Sequence, residues 1–224
     1  MLRSILIGLD SPDHVESLTE LGIRWARRFG ATLVGLAIVD EPGIRAIEPL
    51  GSIGGTPGVS PVYYMGYENR MAEYRQRAED LLAAFAGRCD ESGVAHEEVA
   101  GVGAPHEVIG REAGARDLIL MPLRSHFQFT VHEDEPDDGL IKRVLKDTPR
   151  PVVVVPETEP PAGPIVIAYD GSLQTERALS AFVATGLGGA GPVQYVRESV
   201  VQDYKAEAEA ASYFQTGGSI PDFL

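Results

Sequence analysis

The chain has 224 residues, 44% hydrophobic and 23% charged, which supports a packed core and excludes an intrinsically disordered chain. With 19 Lys and Arg against 33 Asp and Glu, the net charge of -14 repels phosphate backbones and anionic headgroups, so nucleic acid and membrane surfaces are not expected partners. The single cysteine, Cys89, excludes an intrachain disulfide framework and a multi-cysteine metal site, and fits a reducing, cytoplasmic location.

Ile5 to Leu9 is an unbroken apolar run of strand length, covered on both faces and too short for a signal-peptide core. Ser11-Pro12 opens a helix, with Ser11 placed to cap and Pro12 where its missing N–H costs nothing. Leu18, Leu21, Trp25 and Phe29 mark its apolar face, and Gly30 stops it. Thr32 to Val39 is the second strand. From Asp40 to Tyr67 there is no periodicity, only Gly- and Pro-rich sequence including Gly51 to Gly58, so a loop is expected, with Gly43 to Tyr67 mobile or forming a lid. Met71, Tyr74, Ala78, Leu81, Leu82, Phe85 and Cys89 form a helical stripe. A strand Glu97 to Val102, a helix from Pro105 to about Ala115 and a strand Leu118 to Met121 follow. A polar loop leads to a helix Gly139 to Asp147 with Leu140, Val144 and Leu145 on one side, and Pro151 to Val155 is the fifth strand. Strands alternating with helices predict a three-layer α/β/α sandwich on a five-stranded parallel sheet, residues 1–156.

A Pro-rich linker, 157–164, separates this domain from residues 165–224. Ile165 to Asp170 repeats Ile5 to Asp10 with an offset of 160, and Gly171-Ser172 with the helical stretch Thr175 to Thr185 repeats the first helix. A second copy has begun. Val193 to Val196 would be its second strand and Tyr204 to Phe214 its second helix, and the copy is incomplete in this chain.

Asp10 and Asp170 stand at strand carboxyl ends, where parallel α/β sheets bind ligands. A carboxylate there either accepts hydrogen bonds from a ligand or caps the following helix, and both readings stand.

The order strand-Asp-Gly-Ser (Asp170-Gly171-Ser172), Asp117 to Met121, then Arg143-Val144-Leu145 through Pro149, Pro151 and Val152 to Pro156 resembles the universal stress protein family, in its tandem form. The resemblance covers nearly all of 1–156 and about the first third of another copy. It implies a five-stranded parallel fold related to adenine-nucleotide hydrolases, dimers built across the fifth strand (Val152, Val153, Val154 and Val155), and in some members ATP between the first and fourth strands.

The ATP-binding members carry a glycine loop after the fourth strand, where backbone N–H groups and a helix N-terminus cradle phosphate. Here the sequence reads Met121-Pro122-Leu123-Arg124-Ser125, with Pro122 and Ser125 at the expected glycines, and Asp138-Gly139 stands for the later Gly-Ser. Between them, His132 to Asp138 holds five carboxylates in seven residues. Two like charges ~4 Å apart cost about 4 kcal/mol at a surface-like dielectric, so this run opposes a triphosphate. The vestigial nucleotide set is therefore Asp10, Ser11, Val39, Met121, Arg124, Ser125 and Gly139 in the first copy and Asp170, Gly171 and Ser172 in the second.

Gly186 to Gly191 has dinucleotide-site spacing but follows a helix and precedes a strand, the wrong order for a phosphate cradle. His126, His132, Glu133 and Asp134 offer a metal site only if a loop of solvated side chains closes up. No nucleophile is paired with a base, so no catalytic residue is assigned. The reading is a stress-response binding or regulatory module, not an enzyme, needing no cofactor, with an unidentified protein partner. The alternatives are an ATP-binding stress protein with weak ATPase activity and a metal-responsive regulator using the acidic loop.

Overall fold

The computed structural model describes residues 2–47, 61–125, 127, 138–156, 165–169, 171–187 and 193–197. The chain separates into two compact units, Leu2–Glu159 and Pro160–Leu224. Among the described residues no helix is long and apolar enough to cross a membrane.

The first unit runs β1 (Ser4–Leu9), α1 (Pro12–Phe29), β2 (Thr32–Val39), α2 (Glu41–Ile47), α3 (Pro61–Glu91), β3 (His96–Val102), α4 (Pro105–Ala113), β4 (Leu118–Pro122), α5 (Asp138–Asp147) and β5 (Val152–Val155). The five strands form one parallel sheet in the order β3-β2-β1-β4-β5. Helices α1 and α3 pack together, as do α4 and α5, giving the sandwich that continuous apolar strands require. Leu6, Leu36, Ile38, Met121, Val108 and Val144 belong to the core on the α4/α5 side.

Three expectations about the elements change. The buried stripe of α1 is Val15, Leu18, Thr19, Gly22, Ile23 and Ala26, while Leu21, Trp25 and Phe29 lie half-buried at its margin. Small residues set this rotation: a Cβ on Gly22 would meet Ile7 Cδ1 at 2.6 Å, so α1 lies close on β1 along its Gly/Ala side. On α5, Leu140, Ile141 and Val144 are buried but Leu145 is 53% exposed, because a ten-residue helix on one sheet face buries a single narrow stripe.

The predicted loop from Asp40 to Tyr67 is in part helical. Buried Asp40 caps α2 by accepting the Gly43 N–H at 3.0 Å, Pro42 occupies the first turn, and Ile44 is fully buried. Helix α3 starts at Pro61, so Gly43 to Ile47 and Pro61 to Tyr67 are helix, not loop or lid. The Tyr67 hydroxyl donates to Glu41 Oε1 at 2.9 Å, holding that carboxyl below its ordinary pKa, and Arg45 pairs with the same carboxylate while lying 5.4 Å over the Tyr67 ring. These contacts tie α2 to α3. Periodicity missed them because α2 is only seven residues long. Residues 48–60, with Gly51 to Gly58, lie outside the described residues.

The α3 stripe does face inward: Met71, Ala78, Leu81, Leu82, Phe85 and Cys89 are buried. Burial, with the charge of Asp90 adding to it, pushes the Cys89 thiol from 9.0 to about 11. Raised in the folded state, the group contributes stability that is complete below the unfolded thiol's pKa and is lost as pH rises through about 11. The shift lowers the thiolate fraction ~100-fold at pH 8, so a disulfide reagent is expected to modify Cys89 at least that much more slowly than free cysteine. Reaction at the free-thiol rate in native buffer would contradict its burial.

The second unit contains β6 (Ile165–Tyr169), α6 (Leu173–Thr185) and β7 (Val193–Arg197), with β6 and β7 parallel. Ile165 pairs with Val193 as Ile5 pairs with Leu33, and every later pair keeps the same offset of 160 from its counterpart. The region 204–214, the linker 157–164 and Gly188 to Gly191 lie outside the described residues.

Candidate functional site

Parallel α/β sheets bind ligands outside the strand carboxyl ends, where the strand order reverses. Here that point lies between β1 and β4. Asp10 and Ser11 follow β1, Val39 ends β2, Met121 is near the end of β4, and Arg124 and Ser125 follow it, so the topology gathers these six predicted residues at one end of the sheet. Gly139 lies half-buried in the first turn of α5. Asp117, which opens the fourth-strand motif, lies at the opposite end and accepts the Arg3 and Ser4 N–H groups at 2.8 and 3.1 Å, anchoring the N-terminal strand.

Of the six gathered residues, Asp10, Ser11, Val39, Met121 and Ser125 are buried, whereas Arg124 is exposed. Asp10 is 4% exposed, and its Oδ1 lies 3.0 Å from Nδ1 of buried His14, one turn into α1. It is therefore not the helix cap. Ser11 holds that position with an extended backbone, yet its hydroxyl makes no capping bond and is buried without a hydrogen-bond partner among the described residues. The Val39 carbonyl accepts the Gly103 N–H at 3.0 Å. His14 was not foreseen, although its spacing of four from Asp10 on a helix was a usable signal.

The end of β4 departs furthest from a phosphate cradle. Pro122 continues the strand beside Val155 and has no N–H to offer. Ser125 is 2% exposed, and its hydroxyl accepts the Phe127 N–H at 3.4 Å, a local side-chain turn that sends the chain inward. Phe127 then enters the crevice: it is 2% exposed, belongs to the α4/α5-side core, and its ring lies 3.3 Å from where a Cβ on Gly8 would stand. The absence of a side chain at Gly8 makes room for the ring. Among the described residues, a cavity of about 10 Å³, at the lower limit for one water molecule, lies between Asp10, Ile38, Leu81 and Phe127. Neither periodicity nor motif spacing pointed to Phe127, because it stands in a polar loop.

In the second unit, Gly171 adopts φ +79°, a conformation that glycine takes without strain. Ser172 caps α6, its hydroxyl accepting the Thr175 N–H at 3.2 Å. Asp170 lies outside the described residues, as do His126, His132 and the acidic residues Glu133, Asp134, Glu135 and Asp137. Among the described residues no three His, Cys, Asp or Glu side chains are grouped as metal ligands would be.

No model of a known protein family matches the sequence, and no curated protein matches it. Solved structures do. A protein described as hypothetical, MJ0577, aligns at 19% identity over 71% of this chain and 99% of its own, with a TM-score of 0.52. The universal stress protein UspA from Lactobacillus plantarum aligns at 20% identity over 68% of this chain and 97% of its own, with a TM-score of 0.46. A universal stress protein family protein from Arabidopsis thaliana, solved with AMP bound, aligns at 14% identity over 70% of this chain and 92% of its own, with a TM-score of 0.43. At 19% identity and a TM-score of 0.52, the likeness to MJ0577 establishes the fold alone.

Proposed function

We propose that the chain is a universal-stress-type binding or regulatory module, cytoplasmic, whose first unit does not hold ATP with useful affinity and which works through partners, not turnover. The motif order from Asp117 through Pro156 supports the family reading, and the parallel fold agrees with it. The observation that carries the functional reading is Phe127, whose ring fills the crevice between β1 and β4. Pro122 and buried Ser125 deny a triphosphate the backbone N–H groups that glycines would present. The second unit is the start of another copy, supported by the strand pairing that recurs 160 residues on, and any nucleotide binding belongs to that copy when complete, at Asp170, Gly171 and Ser172. Calorimetry of the chain with ATP and magnesium is expected to show no binding at micromolar concentrations. A micromolar dissociation constant would overturn the reading.

The partner surface follows from the sheet edges. Both β3 and β5 end the sheet, but β3 carries Glu97 and Glu98, charges that discourage further pairing, whereas β5 is four valines. Its outer backbone groups have no strand partner among the described residues. We propose that a second copy pairs along Val152 to Val155. Light scattering at micromolar concentration is expected to report a dimer; a monodisperse monomer would refute the pairing.

A further inference from the structure

Among the described residues, a groove of about 690 Å³ lies between α1 and α3. That is within the ~300–1,000 Å³ range of small-molecule sites. Its floor is apolar: Val15 and Leu81 are 5% and 6% exposed, and Pro12 and Ala84 form the walls above them. The charges at its rim are in different states. Arg88 reaches across from α3 to Glu16 and Glu20 at 3.3 and 2.6 Å, closing one end. Asp80 accepts from Gln76 at 3.0 Å. Arg77 has no hydrogen-bond or ion-pair partner among the described residues, and it lines both this groove and the small cavity beside Asp10, so it stands where the two meet. Glu73, four residues earlier on α3, is a carboxylate on the same groove wall.

We infer that this groove binds a small amphipathic anion, its apolar body on Val15, Leu81 and Ala84 and its single carboxylate, sulfonate or phosphate on Arg77. An apolar floor supplies affinity without direction, and a planar guanidinium outside any ion pair supplies the orienting contact, since it takes an oxyanion through paired N–H donors and is more weakly hydrated than an ammonium. The groove meets the cavity beside Asp10 at Arg77, but its apolar floor lies between α1 and α3, so the inference does not depend on a nucleotide in the β1/β4 crevice.

The full chain would be titrated with 8-anilinonaphthalene-1-sulfonate and with its uncharged relative N-phenyl-1-naphthylamine, following fluorescence. One saturable site is expected for each. Ala84→Trp, which fills the groove from an exposed position, is expected to weaken both probes at least ~10-fold, and Arg77→Gln to weaken only the sulfonate, by ~10-fold, the size of one charge-assisted contact. Glu73→Gln, which removes the carboxylate on the same groove wall, is expected to tighten the sulfonate and leave the neutral probe unchanged, and it tests the charge assignment independently of the tryptophan variant. Far-UV circular dichroism checks that each variant is folded. The inference is overturned by several weak sites indifferent to Ala84→Trp, by equal loss of both probes in Arg77→Gln, or by tighter binding of a cationic amphiphile such as dodecyltrimethylammonium.

Discussion

Replacing Phe127 with alanine is expected to cost ~3–5 kcal/mol of stability, the usual range for deleting a fully buried aromatic side chain. The ring is 2% exposed and packs with the core that includes Met121, Leu140 and Val144, while Gly8 beneath it offers no side chain to refill the space. Urea denaturation of the variant beside the parent chain measures the loss. A change below ~1 kcal/mol would mean that the crevice is not filled by this ring. The same variant separates two parts of the proposed function. With the ring gone, adenosine is expected to bind beside Asp10, and ATP no more tightly than adenosine, because Pro122 and Ser125 still deny the phosphates their N–H donors. ATP binding much tighter than adenosine in the variant would show that the β4 end can hold phosphate after all.

Gly35 and Phe85 are the second place where one substitution should matter. Gly35 lies in β2, and a Cβ there would stand 2.6 Å from Phe85 Cδ1 and 2.8 Å from its Cε1, closer than such atoms approach. Phe85 is fully buried and holds α3 on the sheet, with its ring edge-on to His96 at a centroid distance of 5.8 Å. Gly35→Ala is therefore expected to destabilise by ~1–3 kcal/mol through overpacking, since a rigid ring cannot swing aside. Phe85→Leu alone leaves a void. The double variant Gly35→Ala/Phe85→Leu is expected to be more stable than the two losses added together, because the new methyl occupies part of the vacated ring volume. Additive losses in thermal or urea unfolding would mean that the two positions do not share a space.

Three strands were legible because each is a continuous apolar run: Ile5 to Leu9, Thr32 to Val39 and Val152 to Val155 needed no tertiary information to be read as strands. The Pro and Gly punctuation of α1 and the α3 stripe was equally local. The recurrence of Ile5 to Asp10 at Ile165 to Asp170 foretold the β6-β7 pairing, since the same pattern at the same spacing folds into the same register. Helix α2 escaped because a short helix carries too few apolar positions to show a period. It forms because Asp40 caps it and Tyr67, 26 residues from Glu41, ties it down.

The candidate residues divide in the same way. Their types and strand-end positions, from Asp10 to Ser125, were set by local sequence, and so was the presence of Pro122 and Ser125 at the end of β4. What those residues face was not. Asp10 pairs with His14, the Val39 carbonyl is taken by Gly103, and Phe127 occupies the crevice only because the parallel sheet brings β4 beside β1 and Gly8 leaves a gap of the right size there. The α1/α3 groove likewise exists only because helices distant in sequence meet on one sheet face. Apolar pattern and turn chemistry act over a few residues and are written in the chain. The filling of a crevice depends on volumes brought together from separate strands, which only close packing in three dimensions decides.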